Sequence, residues 1–459
     1  MRMKNLVASI ATGSVLALAL HSAHAAVTPE EAAALKTTLT PFGAERAGNK
    51  EGTIPAWEGG YTKSDPGYKS GDARVDLFPG EKPKFSINAK NLDQHADKLS
   101  EGIKALLKKY PDSFRLDVYP THRTAAAPQW VYDNTYKNAT RAKIKEDGVG
   151  LEGAYGGIPF PIPKSGIEAM WNHKLFYYGE YNGMNVSGFI GTADGKVIHS
   201  SRARNIIHMP YYDKNGSLEK FNGEYQLMRI FVDGPPHKSG EQFFLIDSLN
   251  KPRQAWQYLV GQRRVRKAPT ICCDAPEEVN SGVDYWDEAY GFWGDLDLYD
   301  WKLAGKKEIY IPYNSNKFFE KKNTRDKQVL PHHLNPDLVR WELHRVWVVD
   351  ATLKKGKRHV VPKRRFYLDE DTWGAVLSEG WDAQGQLWRL QMTQPLVVPE
   401  GPFVYPTVQW TVFNLLAGNY LGSCVNDWGD PTYTYHFKVY DRISPAEFTP
   451  DALAGQGVR

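Results

Sequence analysis

The sequence predicts an α+β fold dominated by strands, in which one large, curved antiparallel sheet is covered by helices. From residue 151 to about residue 440, short strand patterns follow one another with turn residues and no regular helices between them. This succession is typical of an antiparallel sheet. Several runs alternate in hydrophobicity, which separates their side chains onto two faces. Aromatic residues form 13% of the chain, and many fall on these faces. So many strands indicate a large curved sheet or a barrel.

Composition and charge exclude several classes of protein. The chain has 459 residues, of which 41% are hydrophobic, so it is long enough to bury a large core. Its 57 basic and 53 acidic residues leave a net charge of +4, which is too small to indicate a nucleic-acid partner. The aromatic content excludes a disordered chain, and the length excludes a small disulfide-stapled domain.

Residues 1–25 match an export signal. Arg2 and Lys4 precede an almost entirely apolar run over residues 6–20, and an Ala-His-Ala triplet provides small residues for cleavage. We expect the mature chain to begin at Ala26 and to enter a bacterial periplasm. It should carry no lipid, because no cysteine stands at the cleavage site. The alternative is an uncleaved anchor helix, for which this run is short. No other stretch approaches the ~20 apolar residues of a membrane span.

Residues 26–150 are expected to form a helical and irregular segment that packs on the sheet. Thr28 and Glu31 make the pattern of a capping box at the start of a helix. A Gly/Pro-rich irregular stretch follows. Apolar residues at helical spacing predict a second helix over residues 92–110, and a third is expected over residues 129–145.

The remaining residues, 151–459, are expected to form the sheet domain. Asp-Gly at 194–195 and Asn-Gly at 215–216 predict hairpin turns, whereas residues 403–420 fit either a helix or a strand. Three sets of residues are predicted to share a strand face: Trp256, Tyr258 and Val260; Trp388, Leu390 and Met392; and Tyr433, Tyr435, Phe437 and Val439.

The three cysteines are Cys272, Cys273 and Cys424. An exported protein can form disulfides, and an odd number leaves at least one thiol free or paired between chains. The favoured arrangement joins one of the adjacent pair to Cys424. A strained bond between the two neighbours is the alternative, and a metal site has little support because no spaced Cys-x-x-Cys motif is present.

Two basic clusters lie in the sheet region. Arg263, Arg264 and Arg266 form the first, and Lys363 and Arg364 belong to the second. One interpretation is a solvated hairpin tip. The other is a docking patch for an acidic partner or for anionic lipid headgroups.

The sequence contains no known catalytic motif: no nucleophile elbow, phosphate loop, zinc-protease motif or dinucleotide fingerprint. His332, His333 and His344 hint at a metal, but adjacent histidines point to opposite sides of an extended chain, which favours surface histidines. Glu342 and Asp350 offer acid/base chemistry, yet acidic residues on strands are usually solvated. We expect no catalytic residue, no metal site and no cofactor.

The chain resembles the domain of unknown function 1329 family of exported Gram-negative proteins. The likeness covers essentially the whole mature chain. The stretches that carry it are residues 39–49 (LTPFGAERAGN), 52–57 (GTIPAW), 156–161 (GGIPFP), 258–266 (YLVGQRRVR) and 299–303 (YDWKL).

This family looks similar in fold to the periplasmic lipoprotein carrier LolA, which has an unclosed antiparallel β-barrel covered by helices around an apolar cavity. The resemblance implies a LolA-like half-barrel over residues 151–459, although this chain is much longer than LolA. It also implies a carrier of lipid-like or other hydrophobic molecules, working with an inner-membrane exporter and an outer-membrane channel. It brings no catalytic residues.

The leading hypothesis is therefore a periplasmic binding or shuttle protein for a hydrophobic ligand, in which aromatic side chains line the sheet. The candidate wall residues are Trp256, Tyr258, Trp347, Phe366 and Trp388. The competing interpretation of these side chains is ordinary core. Two further hypotheses are a hydrolase or carbohydrate-active protein that stacks sugar rings on exposed aromatic side chains, and an envelope scaffold that docks through its basic hairpins.

Overall fold

The computed structural model describes residues 27–430 and 432–455. The expected export signal, residues 1–25, lies outside this range. Within it there are six α-helices: α1 (Pro29–Ala33), α2 (Glu101–Lys109), α3 (Gln129–Arg141), α4 (Gly166–Lys174), α5 (Arg325–Gln328) and α6 (Pro450–Gly455). No helix in the described ranges is long and apolar enough to cross a membrane.

Eighteen strands are present in the described residues. The first ten are β1 (Phe85–Ile87), β2 (Leu116–Val118), β3 (Lys143–Ile144), β4 (Leu151–Glu152), β5 (Tyr181–Gly191), β6 (Val197–His208), β7 (Glu224–Gly234), β8 (Gln242–Ser248), β9 (Gln254–Leu259) and β10 (Arg264–Lys267). The other eight are β11 (Tyr299–Pro312), β12 (Trp341–Leu353), β13 (Lys363–Asp369), β14 (Ala375–Trp381), β15 (Leu387–Val398), β16 (Phe403–Asn414), β17 (Asn419–Ser423) and β18 (Phe437–Tyr440).

Sixteen of these strands form one sheet built from two antiparallel meanders. Strands β5 to β10 make the first meander and β11 to β17 the second, and β17 pairs with β5 to join them. Strand β18 also pairs with β5. Strands β1 and β2 add to the side of β12, where Val118 and Trp341 form a parallel pair. Over the described residues the sheet is not closed into a barrel. The predicted strand-dominated fold with an unclosed sheet is therefore confirmed.

Both faces of the second meander are covered. Residues 271–298, which connect β10 to β11 and are called here the interior segment, pack against one face; the Tyr290 ring lies 4.4 Å from that of Trp410 on β16. Helix α2 covers the other face, because Gly102 lies directly against Leu390 on β15. Adjacent β15 residues point to opposite faces, and Arg389 binds Glu288 of the interior segment. This double covering explains why β15 and β16 are buried along almost their whole length.

Residues 27–150 pack on the sheet and also extend it with β1 and β2. Buried ion pairs fix this segment: the Arg123 Nε atom lies 2.9 Å from Asp371 Oδ2, and Arg74 Nη2 lies 3.0 Å from Glu400 Oε1. Because each buried charge is paired with an opposite charge, a polar, irregular chain can lie against the sheet without leaving an unpaired charge in the interior.

The local predictions have mixed outcomes. The Thr28–Glu31 capping box is present, and the Asp-Gly turn at 194–195 joins β5 to β6. The run predicted as one helix over residues 92–110 is split into a 3₁₀ turn and α2, and the ambiguous residues 403–420 form β16 and the start of β17. The Asn-Gly pair at 215–216 lies in a long irregular connection rather than in a two-residue hairpin.

Candidate functional site

A pocket of about 360 Å³ lies where the loop before β4, helix α4, the β8–β9 turn and the end of the interior segment meet. Its volume falls within the range of small-molecule sites. The residues that line it are Asp147, Val149, Gly150, Trp171, Lys174, Tyr225, Asp247, Ser248, Leu249, Asn250, Lys251, Pro252, Asp295, Leu296 and Asp297.

The apolar wall of the pocket is built by Trp171 on α4 and Tyr225 on β7. Their rings meet edge to face, with centroids 6.2 Å apart. The Trp171 Nε1–H group donates a hydrogen bond to the Val149 carbonyl at 2.8 Å, which fixes the indole across the pocket. Leu249 and Leu296 complete this wall, and both are buried. The wall therefore presents a rigid aromatic and aliphatic surface to an apolar ligand.

The opposite side of the pocket is polar and mostly satisfied by protein contacts. The Asp247 carboxylate accepts from Arg253 Nε at 2.8 Å and from the Trp293 indole N–H at 2.9 Å. The Arg253 guanidinium in turn lies 3.8 Å from the centroid of the Trp293 ring. These contacts make this side a preorganised polar wall.

Lys174 and Asp295 bring two further charges to the pocket. The Lys174 Nζ atom donates to the Gly294 carbonyl at 2.6 Å, and burial lowers the pKa of this ammonium. Burial likewise raises the pKa of the Asp295 carboxyl. Burial penalises the charged form of each group, so a ligand group of opposite charge would relieve that penalty.

Ser248 provides an unused hydrogen-bonding group. Its hydroxyl is buried and has no partner within the described part of the chain. Buried polar groups are normally paired. The pocket as a whole, with its aromatic wall and the buried Lys174 and Asp295 groups, suits a molecule with an apolar body and a small polar group.

The residues predicted to line a ligand wall do not converge on this pocket. Trp256 and Tyr258 lie on the sheet face that carries Phe244, whose ring stacks on Trp256 at 5.5 Å. Together with residues of the C-terminal segment they form a small separate cluster that includes Phe448. The main core contacts the opposite face of the same strands.

The other three predicted wall residues occupy three further places. Phe366 is completely buried in the main core. Trp347 stacks on Trp373, with ring centroids 6.2 Å apart. Trp388 is half-buried, and its indole N–H donates to Asn414 Oδ1 at 3.1 Å. These three side chains therefore lie in separate places, and none of them lines the pocket described above.

The basic residues divide into an exposed and a buried group. Arg263, Arg264 and Arg266 are exposed at the hairpin of β9 and β10, and Lys363 is exposed at the start of β13. Arg364 differs from the prediction of a surface contact, because it is only 4% exposed and its Nη1 atom lies 2.9 Å from Asp287 Oδ2. A strand alternates between faces, so neighbouring basic residues have opposite environments.

The structure differs from the favoured prediction of a disulfide between Cys424 and one of the two adjacent cysteines. All three lie in the described part of the chain and are free there. Cys424 is buried, with its sulfur 4.0 Å from Met184 Sδ. Cys272 and Cys273 lie beside each other with their sulfur atoms 2.8 Å apart. The expected link to Cys424 is therefore absent from the structure.

Several residues predicted to be solvated are instead buried. His333 and His344 are each 1% exposed, and Glu342 is completely buried between His344 and Arg340. Half-buried Asp350 pairs with Arg365 on the next strand. The expectation of surface histidines was wrong for two of the three. Alternation along a strand shows which side chains share a face, but it does not show which residues pack against that face in the folded protein.

A buried polar cluster accompanies these residues. One ligand atom each from His344, Asp369 and Asp371 lies within 4.8 Å of the others. The Asp371 oxygens already accept from Arg123, and Asp369 accepts from Tyr313 and from the following turn. We interpret the cluster as a hydrogen-bonding network that holds residues 27–150 on the sheet.

Sequence reasoning missed Trp171 and Tyr225 as pocket residues. They are 54 residues apart, and neither belongs to an alternating run. The signal that was available is the short apolar helix pattern after Ser165, whose hydroxyl caps α4. A capped helix that precedes a series of antiparallel strands is expected to pack on the sheet they form. Which sheet residues contact the helix can be seen only in the tertiary structure.

Comparisons with known proteins identify the family. The family model described as "Protein of unknown function (DUF1329)" matches residues 86–454. An uncharacterized protein of Pseudomonas aeruginosa is 39% identical over 455 residues, which cover 97% of this chain and 98% of the relative.

Three solved structures are also similar. A DUF1329 family protein from Desulfovibrio piger has 15% identity and a TM-score of 0.38, covering 60% of this chain and 92% of that one. A putative outer membrane lipoprotein-sorting protein domain from Vibrio parahaemolyticus has 13% identity and a TM-score of 0.43, covering 63% and 98%. A LolA superfamily protein from Nitrosomonas europaea has 10% identity and a TM-score of 0.35, covering 63% and 100%. Because the family model matches most of this chain, the chain belongs to the DUF1329 family.

Proposed function

We propose that this protein binds a hydrophobic, lipid-like molecule and acts as a carrier without catalysing a reaction on it. The observation that carries the proposal is the pocket of about 360 Å³, in which the Trp171–Tyr225 wall is combined with the buried charged groups of Lys174 and Asp295. Burying ~200 Å² of ligand apolar surface there contributes about 5 kcal/mol, before the entropic cost of association is subtracted.

A pocket-filling variant tests the site. Ser248→Phe adds a ring at a residue that lines the pocket, whereas Ser64→Phe makes the same substitution at an exposed serine. We expect the wild type and Ser64→Phe to bind the fluorescent probe N-phenyl-1-naphthylamine equally, and Ser248→Phe to bind it about tenfold more weakly, a loss of about 1.4 kcal/mol. Thermal unfolding of each variant verifies that it is folded. Equal binding by all three proteins would exclude the pocket as the site.

The proposed setting is the periplasm, where the protein would exchange its ligand with an inner-membrane exporter and an outer-membrane protein. The support is the export-signal pattern of residues 1–25 and the exposed guanidinium groups of Arg263, Arg264 and Arg266, which suit acidic partners or lipid headgroups. N-terminal sequencing of protein from the periplasmic fraction should begin at Ala26. Reversing the three charges to Glu should reduce crosslinking to envelope proteins while leaving probe binding unchanged.

A further inference from the structure

Cys272 and Cys273 lie in the turn that begins the interior segment, and both are half-buried. Their sulfur atoms are 2.8 Å apart. This is longer than the bond of a disulfide, about 2.05 Å, but shorter than the roughly 3.5–4.0 Å that separates carbon atoms in favourable nonbonded contact. The two thiols are thus held at a distance from which a bond forms with little movement.

The backbone of the turn produces this approach. Cys273 has a φ of 59°, in the left-handed region that non-glycine residues rarely adopt. In an extended chain, adjacent side chains point to opposite sides, whereas here both sulfurs lie on the same side.

Hydrogen bonds maintain this conformation. The Cys272 N–H donates to the Thr270 carbonyl at 2.8 Å, and the Asp287 N–H donates to the Cys273 carbonyl at 3.1 Å. The surrounding structure therefore imposes the conformation, a situation that is frequent at functional positions.

We propose that Cys272 and Cys273 are a redox-active pair that closes a disulfide between neighbouring residues by exchange with an incoming disulfide. The Cys272 thiolate attacks one sulfur of that disulfide, and the first thiol leaves. The Cys273 thiolate then attacks the Cys272 sulfur and releases the second thiol. The two cysteines lose two electrons, the incoming disulfide gains them, and the two thiol protons pass to the departing thiols. This assignment is independent of the proposed ligand pocket.

The geometry also assigns the order of the two steps. The Cys273 S–H group donates to the Cys272 sulfur, and this hydrogen bond lowers the pKa of Cys272. The same contact raises the pKa of Cys273. Thiolates are the reacting species, so Cys272 attacks first and Cys273 resolves the mixed disulfide. Cys424 is completely buried and takes no part.

Thiol counting on the full chain tests the proposal. The reduced protein is incubated with oxidised glutathione, quenched in acid, denatured and alkylated with iodoacetamide. We expect the number of alkylated cysteines to fall from three to one, and the peptide containing Cys272 and Cys273 to lose two hydrogens. In Cys424→Ser the number should fall from two to none, with the same lighter peptide.

Single variants test the order of attack. Cys273→Ala should accumulate a glutathione adduct on Cys272, and more quickly than Cys272→Ala accumulates one on Cys273. The proposal is overturned if three cysteines stay alkylatable in oxidised glutathione, or if Cys424→Ser prevents the loss of the other two. It is also overturned if the disulfide joins two chains.

Discussion

The Arg389 guanidinium and the Glu288 carboxylate form an ion pair inside the protein, with Nε 2.8 Å from Oε1. Their side chains are 4% and 1% exposed. Arg389 belongs to β15 and Glu288 to the interior segment, and the neighbouring Arg364–Asp287 pair repeats the arrangement from β13. Charge pairing out of reach of water therefore fixes the interior segment to the sheet.

Arg389→Met is expected to lower the free energy of unfolding by about 3–5 kcal/mol, because it leaves the Glu288 carboxylate buried without its cation. Urea denaturation measures this loss. The double variant Arg389→Met/Glu288→Met should recover most of it. Arg365→Met is the matched control, since the Arg365–Asp350 pair is about one-third exposed and such pairs contribute about 0–1 kcal/mol. Equal losses in both single variants would contradict the interpretation.

A buried carboxyl pair in the interior segment predicts a pH dependence. Asp284 is completely buried and Glu277 nearly so. Burial, followed by the negative charge of Glu288, raises the pKa of Asp284 from its ordinary value of 3.8 to about 7. The folded protein therefore holds this proton to a higher pH than the unfolded chain does. The stabilising contribution of the protonated group is complete below pH 3.8 and is lost as the pH rises toward 7.

Asp284→Asn should remove this contribution to the pH dependence. Relative to the variant, the wild type should lose stability between about pH 4 and pH 7, where one pH unit between two pKa values corresponds to about 1.4 kcal/mol. Chemical denaturation at a series of pH values measures the difference. Asp300→Asn, at an exposed position, should leave the profile parallel to that of the wild type, and a parallel profile for Asp284→Asn would disprove the assignment.

Gly43 packs so closely against the Pro161 backbone that any side chain at this position would clash with it. Its φ is 93°, and a Cβ atom there would lie 1.7 Å from the Pro161 carbonyl oxygen. Gly52 also has a positive φ, 68°, but nothing lies within 4 Å of its Cβ direction. Gly52→Ala should therefore cost about 1–2 kcal/mol from the backbone conformation alone. Gly43→Ala should cost well above that in thermal or urea unfolding, and similar costs for the two would show that the backbone relieves the clash.

If the pocket is the ligand site, its buried Lys174 ammonium should make the protein prefer anionic amphiphiles to neutral ones. Lys174→Met retains most of the aliphatic stem but removes the ammonium. We expect it to weaken binding of dodecanoate about tenfold, or about 1.4 kcal/mol, and to leave binding of dodecanol unchanged. Calorimetric titration measures both, with Lys251→Met, an exposed substitution at the pocket rim, as the control. A uniform loss for both ligands would indicate a packing effect instead.

Local patterns predicted the strands better than the positions of their side chains. The Asp-Gly turn and the aromatic alternation identify β5, β6, β9 and β15 because both signals act within a few residues. The same alternation could not distinguish a face covered by the interior segment from a face covered by α2 or α6, because alternation separates two faces without identifying what packs on them. Arg364 was expected at the surface as part of a basic cluster, and His344 because surface histidines were favoured over a metal site. Their partners Asp287 and Glu342 became apparent only from the tertiary structure.

The pairing of β5 with β17 determines how this sheet can assemble. Gly191 and Tyr420 are partners across that junction, although roughly 230 residues separate them. Pairings inside each meander close much shorter loops and lose less chain entropy. We therefore expect the two meanders to form early and their junction to form late, so that the junction sets the folding rate. Weakening it, for example with Leu421→Ala, should slow refolding, whereas weakening a peripheral hairpin should mainly accelerate unfolding.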